Sequence, residues 1–358
     1  MCNRTVLSFL MSFALVLGAC GSGEAETSAP TTSAPGTAAS PTIQPAATTA
    51  APVPVTTAAS TTATPTTTTS APIPDQRYDL LTDEVVYHED DDGAWEMKVF
   101  YPEAEGPWPL VVVYHGIPEG PSVTEARAIA ARGAVAMAPR WVKVYPPTMT
   151  REEYIDGALF DRAACAVNAG QQLAADYGAD HSRTTISGFS AGMHAAGWVG
   201  LGLVRNDLCQ SPLLSQPRGV VLGDSQFLFY EGGWDESMAN PGSPAADTLD
   251  RFVNPDRYNV AEDVSVYLWT SDHRHGRDVE ISPGTASWIG QRDTTGTLLD
   301  DLMAIGAFDD EWIDWTDCGR LMEKRMSTAG IDVVHESVGG GHYYGAAVYD
   351  AIEEIMGR

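Results

Sequence analysis

Short apolar, β-branched runs separated by polar stretches recur along most of the chain. The runs Glu84–His88, Glu96–Tyr101, Leu110–Tyr114, Ala134–Ala138, Thr184–Ser187, Gly219–Leu222, Val264–Thr270 and Ile331–Glu336 predict strands. The first two have hairpin spacing across Glu89–Gly93, whose acidic and glycine residues suit a turn. From Leu110 onward strands alternate with helical patterns over Val123–Arg132, Arg151–Tyr177, Ala191–Val204 and Tyr344–Met356. Leu110–Val113 is apolar at every position, as a parallel strand covered on both faces requires. This alternation predicts the α/β class, with a mostly parallel central sheet and helices on both faces. Ser225–Asp263 and His273–Gly330 do not fit it and read as partly helical insertions after the sixth and seventh strands.

Before residue 77 no such pattern exists. Arg4 supplies a short positive region, and Val6–Val16 is an apolar stretch too short to span a bilayer. Leu17-Gly18-Ala19-Cys20 then resembles the cleavage and lipidation motif of bacterial lipoprotein signal peptides, with small residues for the peptidase and a thiol to accept lipid at Cys20. A plain secretory signal cut near Ala19 is the alternative. Residues 20–76 are dominated by Thr, Ala, Pro and Ser, without a charged residue between Glu26 and Asp75. Such a composition cannot bury enough apolar surface to offset ordering, so a disordered tether is expected, spanning about 40 Å as a coil. The expected organisation is a signal peptide over 1–19, a tether over 20–76 and one catalytic domain over 77–358. The expected location is extracytoplasmic, with membrane attachment through the N-terminal lipid only, or free secretion.

The formal net charge of −27 argues against nucleic-acid binding, which needs a basic face. Outside the cytoplasm, Cys165, Cys209 and Cys318 suggest one disulfide and one thiol. Cys165 lies in the helix before the fifth strand and Cys209 just past the helix after it. Those helices should flank neighbouring strands, so a Cys165–Cys209 bridge is expected.

The chemistry concentrates at Gly188-Phe189-Ser190-Ala191-Gly192, between the apolar run Thr184–Ile186 and the helix-compatible run Met193–Val199. A strand, a sharp turn with serine at its apex, and a helix form the arrangement that lifts a nucleophile clear of a sheet edge. Side chains two residues either side would collide with the neighbouring strand and helix, which explains the glycines. A glycine-rich turn capped by an ordinary serine has the same letters; the flanking strand and helix favour the nucleophile.

With Tyr114-His115-Gly116 after the third strand, Gly188–Gly192 after the fifth and Gly340-Gly341-His342 after the last, the chain resembles the α/β-hydrolases over most of Tyr78–Arg358. In that fold, insertions after the sixth and seventh strands commonly build a lid and pocket wall. The resemblance implies the chain order nucleophile, acid, histidine, hence Ser190, then a carboxylate at the end of the penultimate strand, then His342. Asp272 occupies the carboxylate position, with Asp224 and Asp278 as rivals. His181 and His194 do not match the topology, and His335 lies within a strand. The implied oxyanion donors are the N–H groups of Ala191 and of Gly116 or Ile117, since Pro118 has none; related short His-Gly-x loops point to Ile117. A single Gly116 followed by Ile117 departs from the His-Gly-Gly-Gly form of many lipases and esterases. His115 reads as a structural hydrogen-bonding residue. His273-x-His275 beside Asp272 and Asp278 has the letters of a metal site, but a lone pair in a charged loop is usually solvated, so neither metal nor cofactor is expected.

The implied activity is a serine hydrolase cleaving small-molecule or wall- or polymer-borne carboxylic esters through an acyl-enzyme on Ser190. A peptidase or acyltransferase on the same scaffold, or a non-catalytic binding module, is the alternative. Trp141, Tyr145, Phe227, Phe229, Tyr230 and Trp234 are candidates for a pocket wall or for packing within the insertions.

Overall fold

Strands β1 (Leu80–Asp90) and β2 (Gly93–Pro102) form an antiparallel hairpin with an irregularity between Val86 and His88. β2 pairs antiparallel with β4 (Val135–Pro139), and every later pairing in the main sheet is parallel. β3 (Trp108–Tyr114) lies between β4 and β5 (Ala179–Phe189). β6 (Gly219–Gly223), β7 (Ser265–Ser271) and β10 (Asp332–Val338) continue the sheet outward. Among the described residues these eight strands make one sheet in the order β1-β2-β4-β3-β5-β6-β7-β10, and β8 (Val279–Glu280) pairs with β9 (Trp312–Ile313) in a separate ribbon. This is the α/β-hydrolase fold that the sequence motifs implied. The computed structural model describes residues 77–91, 93–116, 120–142, 158–204, 209, 213–224, 251–271, 279–280, 296–309, 312–338 and 344–357.

The period-two alternation of β3 sorts its side chains into two cores. Leu110, Val112 and Tyr114 face one side, with buried residues of α2 (Ala158–Leu173), α3 (Ala191–Gly200) and α5 (Trp315–Thr328). Val111 and Val113 face the other, with α1 (Val123–Ala130) and α6 (Ala346–Gly357). A helix on each face leaves the sheet centre dry, which is why β3, β4, β6 and β7 read as nearly continuous apolar runs.

Two boundaries differ from the pattern. β5 begins at Ala179 rather than Thr184, because Ala179 and Asp180 pair with Trp108 and Pro109 across a register shift. The intervening Asp180-His181-Ser182-Arg183 is polar and half-buried, so its strand character leaves no hydrophobic signature. The helix expected to end at Tyr177 is α-helical only to Leu173, tightens into a 3-10 turn over Ala174–Tyr177, and stops at Gly178 in the left-handed region. The second insertion contributes α4 (Leu298–Ala304), β9 and α5. Buried Cys318, Leu321, Met322 and Met326 on α5 join the first core, so this part of the insertion is built into the fold.

Cys165 on α2 is bonded to Cys209, with Cα atoms 5.0 Å apart across a sequence separation of 44, and buried Cys318 stands outside that bridge. Closing a loop of that length is expected to contribute about 2–4 kcal/mol on the chain-entropy account. Replacing both cysteines by alanine should lower the urea midpoint correspondingly, with a steeper slope because the unfolded chain is no longer held compact by the bridge. An unchanged midpoint would mean that the bridge constrains nothing the folded chain does not already hold.

Candidate active site

Ser190 sits at the junction of β5 and α3 with φ 53° and ψ −133°, one of two non-glycine residues at positive φ among the described residues. A β-region backbone is what an ordinary capping serine adopts, and Ser190 has neither that backbone nor a side-chain cap hydrogen bond to α3. Its hydroxyl is therefore not spent on holding the helix. The strained turn is kept in place from both sides. The Ser190 N–H donates to Gly223 O at 3.0 Å, and the Met193 N–H donates to Ser190 O at 3.0 Å as α3 begins.

The flanking glycines are sterically required. A Cβ on Gly188 would lie 2.2 Å from Gly192 O and 2.9 Å from Ala196 Cβ. On Gly192 it would lie 2.4 Å from Tyr114 O and 2.6 Å from His115 O. These contacts show that the start of α3 is pressed against the end of β3. Gly116 completes the arrangement, since a Cβ there would meet Ser190 Cβ at 3.1 Å and its Oγ at 3.5 Å. The backbone of the β3 loop thus passes directly beside the serine hydroxyl. Ala191 is the first residue of α3, where an amide has no acceptor within the helix and the helix dipole is positive.

The β3 loop is fastened by buried polar groups. His115 is fully buried, with Nδ1 2.7 Å from Gly116 O; because a carbonyl only accepts, Nδ1 carries the proton. Burial pushes its pKa down to about 4, so the ring is neutral near pH 7. The Trp141 indole donates to His115 O at 2.9 Å, and the Tyr114 hydroxyl donates to Ala163 O at 2.6 Å. Trp141 is fully buried and packs 5.8 Å from the His115 ring, so it supports the loop.

Asp224 directly follows β6, fully buried, at φ 48°. Its N–H donates to Trp269 O at 2.9 Å, and its Oδ1 accepts the Ser271 N–H at 2.8 Å. The carboxylate therefore ties the end of β6 to the end of β7, one residue before Asp272. Asp272, Asp278, Ile117, His342, His273 and His275 lie outside the described residues, as do Tyr145, Phe227, Phe229, Tyr230, Trp234 and Cys20. What the fold brings to one edge of the sheet is Ser190, Ala191, Gly116, Asp224 and Ser271. Tyr344, two residues past His342, reaches the same strands from the other side: its hydroxyl is 2.5 Å from Ser187 Oγ. No sequence motif marks that pair, although a tyrosine just past a glycine-histidine loop is a place to look for an anchor.

The topology defines an α/β-hydrolase fold, with Ser190 in a strained turn between β5 and α3. No protein-family model and no curated protein matches the sequence. Among solved structures the chain is similar to a thermophilic esterase, Est2, from the Planctomycetes species Thermogutta terrifontis. The propionate-bound form is 15% identical with a TM-score of 0.48, covering 80% of this chain and 92% of that one. The form phosphonylated by cyclosarin is 16% identical with a TM-score of 0.49, covering 77% and 90%.

Proposed function

We propose that the chain is an extracytoplasmic serine hydrolase that cleaves carboxylic esters. The observation that carries this reading is Ser190 itself: a non-glycine residue in a strained turn, its hydroxyl unused by the helix and flanked by the backbone of Gly116. Strain of this kind costs about 1–3 kcal/mol and persists only where the surroundings over-determine it.

In this mechanism Ser190 Oγ attacks the ester carbonyl while His342 takes its proton. Asp272 holds the other imidazole nitrogen and stabilises the imidazolium, without itself being protonated. The tetrahedral oxyanion is held by the N–H groups of Ala191 and Ile117. Its collapse expels the alcohol, which takes the proton from His342. Water, activated by the same imidazole, then releases the acid and regenerates Ser190. Asp224 contributes by holding Ser271, the residue that leads into Asp272. No cofactor enters the scheme. A panel of p-nitrophenyl esters of increasing acyl length, beside aryl acetates and acetylated sugars, tests it. Turnover of at least one ester class is expected, and the absence of turnover across the panel by folded protein would contradict it.

Lipidation at Cys20 followed by a tether places this chemistry at a membrane surface, within reach of wall-borne or diffusing esters. Stable retention requires more than one acyl chain. Mass spectrometry of the mature N-terminus is expected to find acylated Cys20; an unmodified Cys20 or a start inside the tether would make the enzyme freely secreted.

A further inference from the structure

Outside the groups used above, one buried polar pair spans the strands that carry the site. Ser187 lies on β5 three residues before Ser190, Tyr344 lies two residues after His342, and their hydroxyls share one hydrogen bond at 2.5 Å. Both residues are buried. The Tyr344 ring packs edge-on against Phe189, the neighbour of Ser190, at 5.5 Å, and against Trp269, three residues before Asp272, at 5.7 Å. On its remaining side it meets Tyr349 of α6 at 5.8 Å.

Packing alone does not explain this residue. A phenylalanine would fill the same space without bringing a hydroxyl into the core, where an unpaired one costs about 1–3 kcal/mol. Among the described residues the hydroxyl meets the Ser187 hydroxyl, and that bond fixes the ring along the strand as well as across it. Burial raises the phenol pKa well above its ordinary value, so the bond persists across the working pH range.

We propose that Tyr344 is a positioning residue that sets where His342 stands relative to Ser190 and Asp272. It pins the chain two residues past the histidine to β5 through its hydroxyl and to β7 through its ring. Two residues of chain reach at most about 7 Å, so a displaced anchor at Tyr344 would be felt at His342. A 1 Å misplacement of a catalytic group costs as much as about a hundredfold in rate. This inference rests on the reading of His342 as the base.

The test uses the full chain with Tyr344→Phe, Ser187→Ala and the double variant, each measured for kcat, KM and thermal midpoint on the best ester of the panel. Each single variant is expected to lower kcat about tenfold or more with KM within about twofold. The double variant should be no slower than the slower single, because both remove the same bond. A merely structural pair would instead lower the thermal midpoint and leave kcat per folded molecule unchanged. That result, or losses that multiply in the double variant, overturns the proposal. The parent reading is separated by Ser190→Ala. An inactive Ser190→Ala beside a fully active Tyr344→Phe overturns the positioning role alone, whereas turnover surviving in Ser190→Ala overturns both.

Discussion

Ser190→Ala is expected to lower ester turnover by at least about a thousandfold while the thermal midpoint stays within a few degrees of the parent. The loss is large because triad members act as a unit, so removing the nucleophile leaves only binding and the oxyanion donors. The fold is expected to survive for reasons visible around the residue. The hydroxyl makes no cap bond to α3, so none is lost. The backbone bonds that hold the turn, from the Ser190 N–H to Gly223 O and from the Met193 N–H to Ser190 O, do not depend on the side chain. A companion variant, Ser190→Gly, should be equally inactive yet more stable by about 1 kcal/mol, because glycine adopts the positive φ without strain. Activity and stability moving in opposite directions at one residue is the mark of a site strained for function. Turnover within tenfold of the parent in a folded, contaminant-free Ser190→Ala protein would rule out Ser190 as nucleophile.

Asp272→Asn is expected to lower kcat by about ten-thousandfold, because the amide neither stabilises an imidazolium nor holds the imidazole in the required tautomer. Asp224→Asn should cost far less. The Asp224 carboxylate accepts the Ser271 N–H through Oδ1, and the asparagine oxygen accepts the same bond. Asp224→Ala, which removes the acceptor, should fall between the two by loosening the end of β7. The measurement is kcat for the three variants at matched folded concentration. If Asp224→Asn proves the most damaging, the acid of the triad is Asp224 and the tie to Ser271 is secondary.

The sheet was legible in the sequence where strands are dry on both faces. Leu110–Tyr114, Gly219–Leu222 and Val264–Thr270 carry their burial in their letters, and the structure places β3, β6 and β7 there. The start of β5 was not, since Ala179–Arg183 is polar and only half-covered, and its strand character comes from pairing with Trp108 and Pro109. The serine turn was legible for a steric reason: the backbone of one strand and one helix leaves no room for side chains at Gly188 and Gly192. Contacts made at long range were not. Ser187 and Tyr344 are 157 residues apart, and no local pattern joins a serine in a strand to a tyrosine past a glycine loop. The bond from Ser271 to Asp224 was hidden similarly, because a carboxylate that accepts a backbone N–H looks in sequence like any strand-end acid. Trp141, a candidate for a pocket wall or for packing, is buried with its indole donating to the His115 carbonyl.

The central claim is that Ser190 is an activated nucleophile, and covalent capture tests it most directly. Protein incubated with a fluorophosphonate probe at neutral pH, digested and mapped by mass spectrometry, is expected to carry one adduct, on the peptide containing Ser190, with no adduct on Ser190→Ala. Unlabelled parent protein that is demonstrably folded, or an adduct on another residue that persists in Ser190→Ala, would contradict the account.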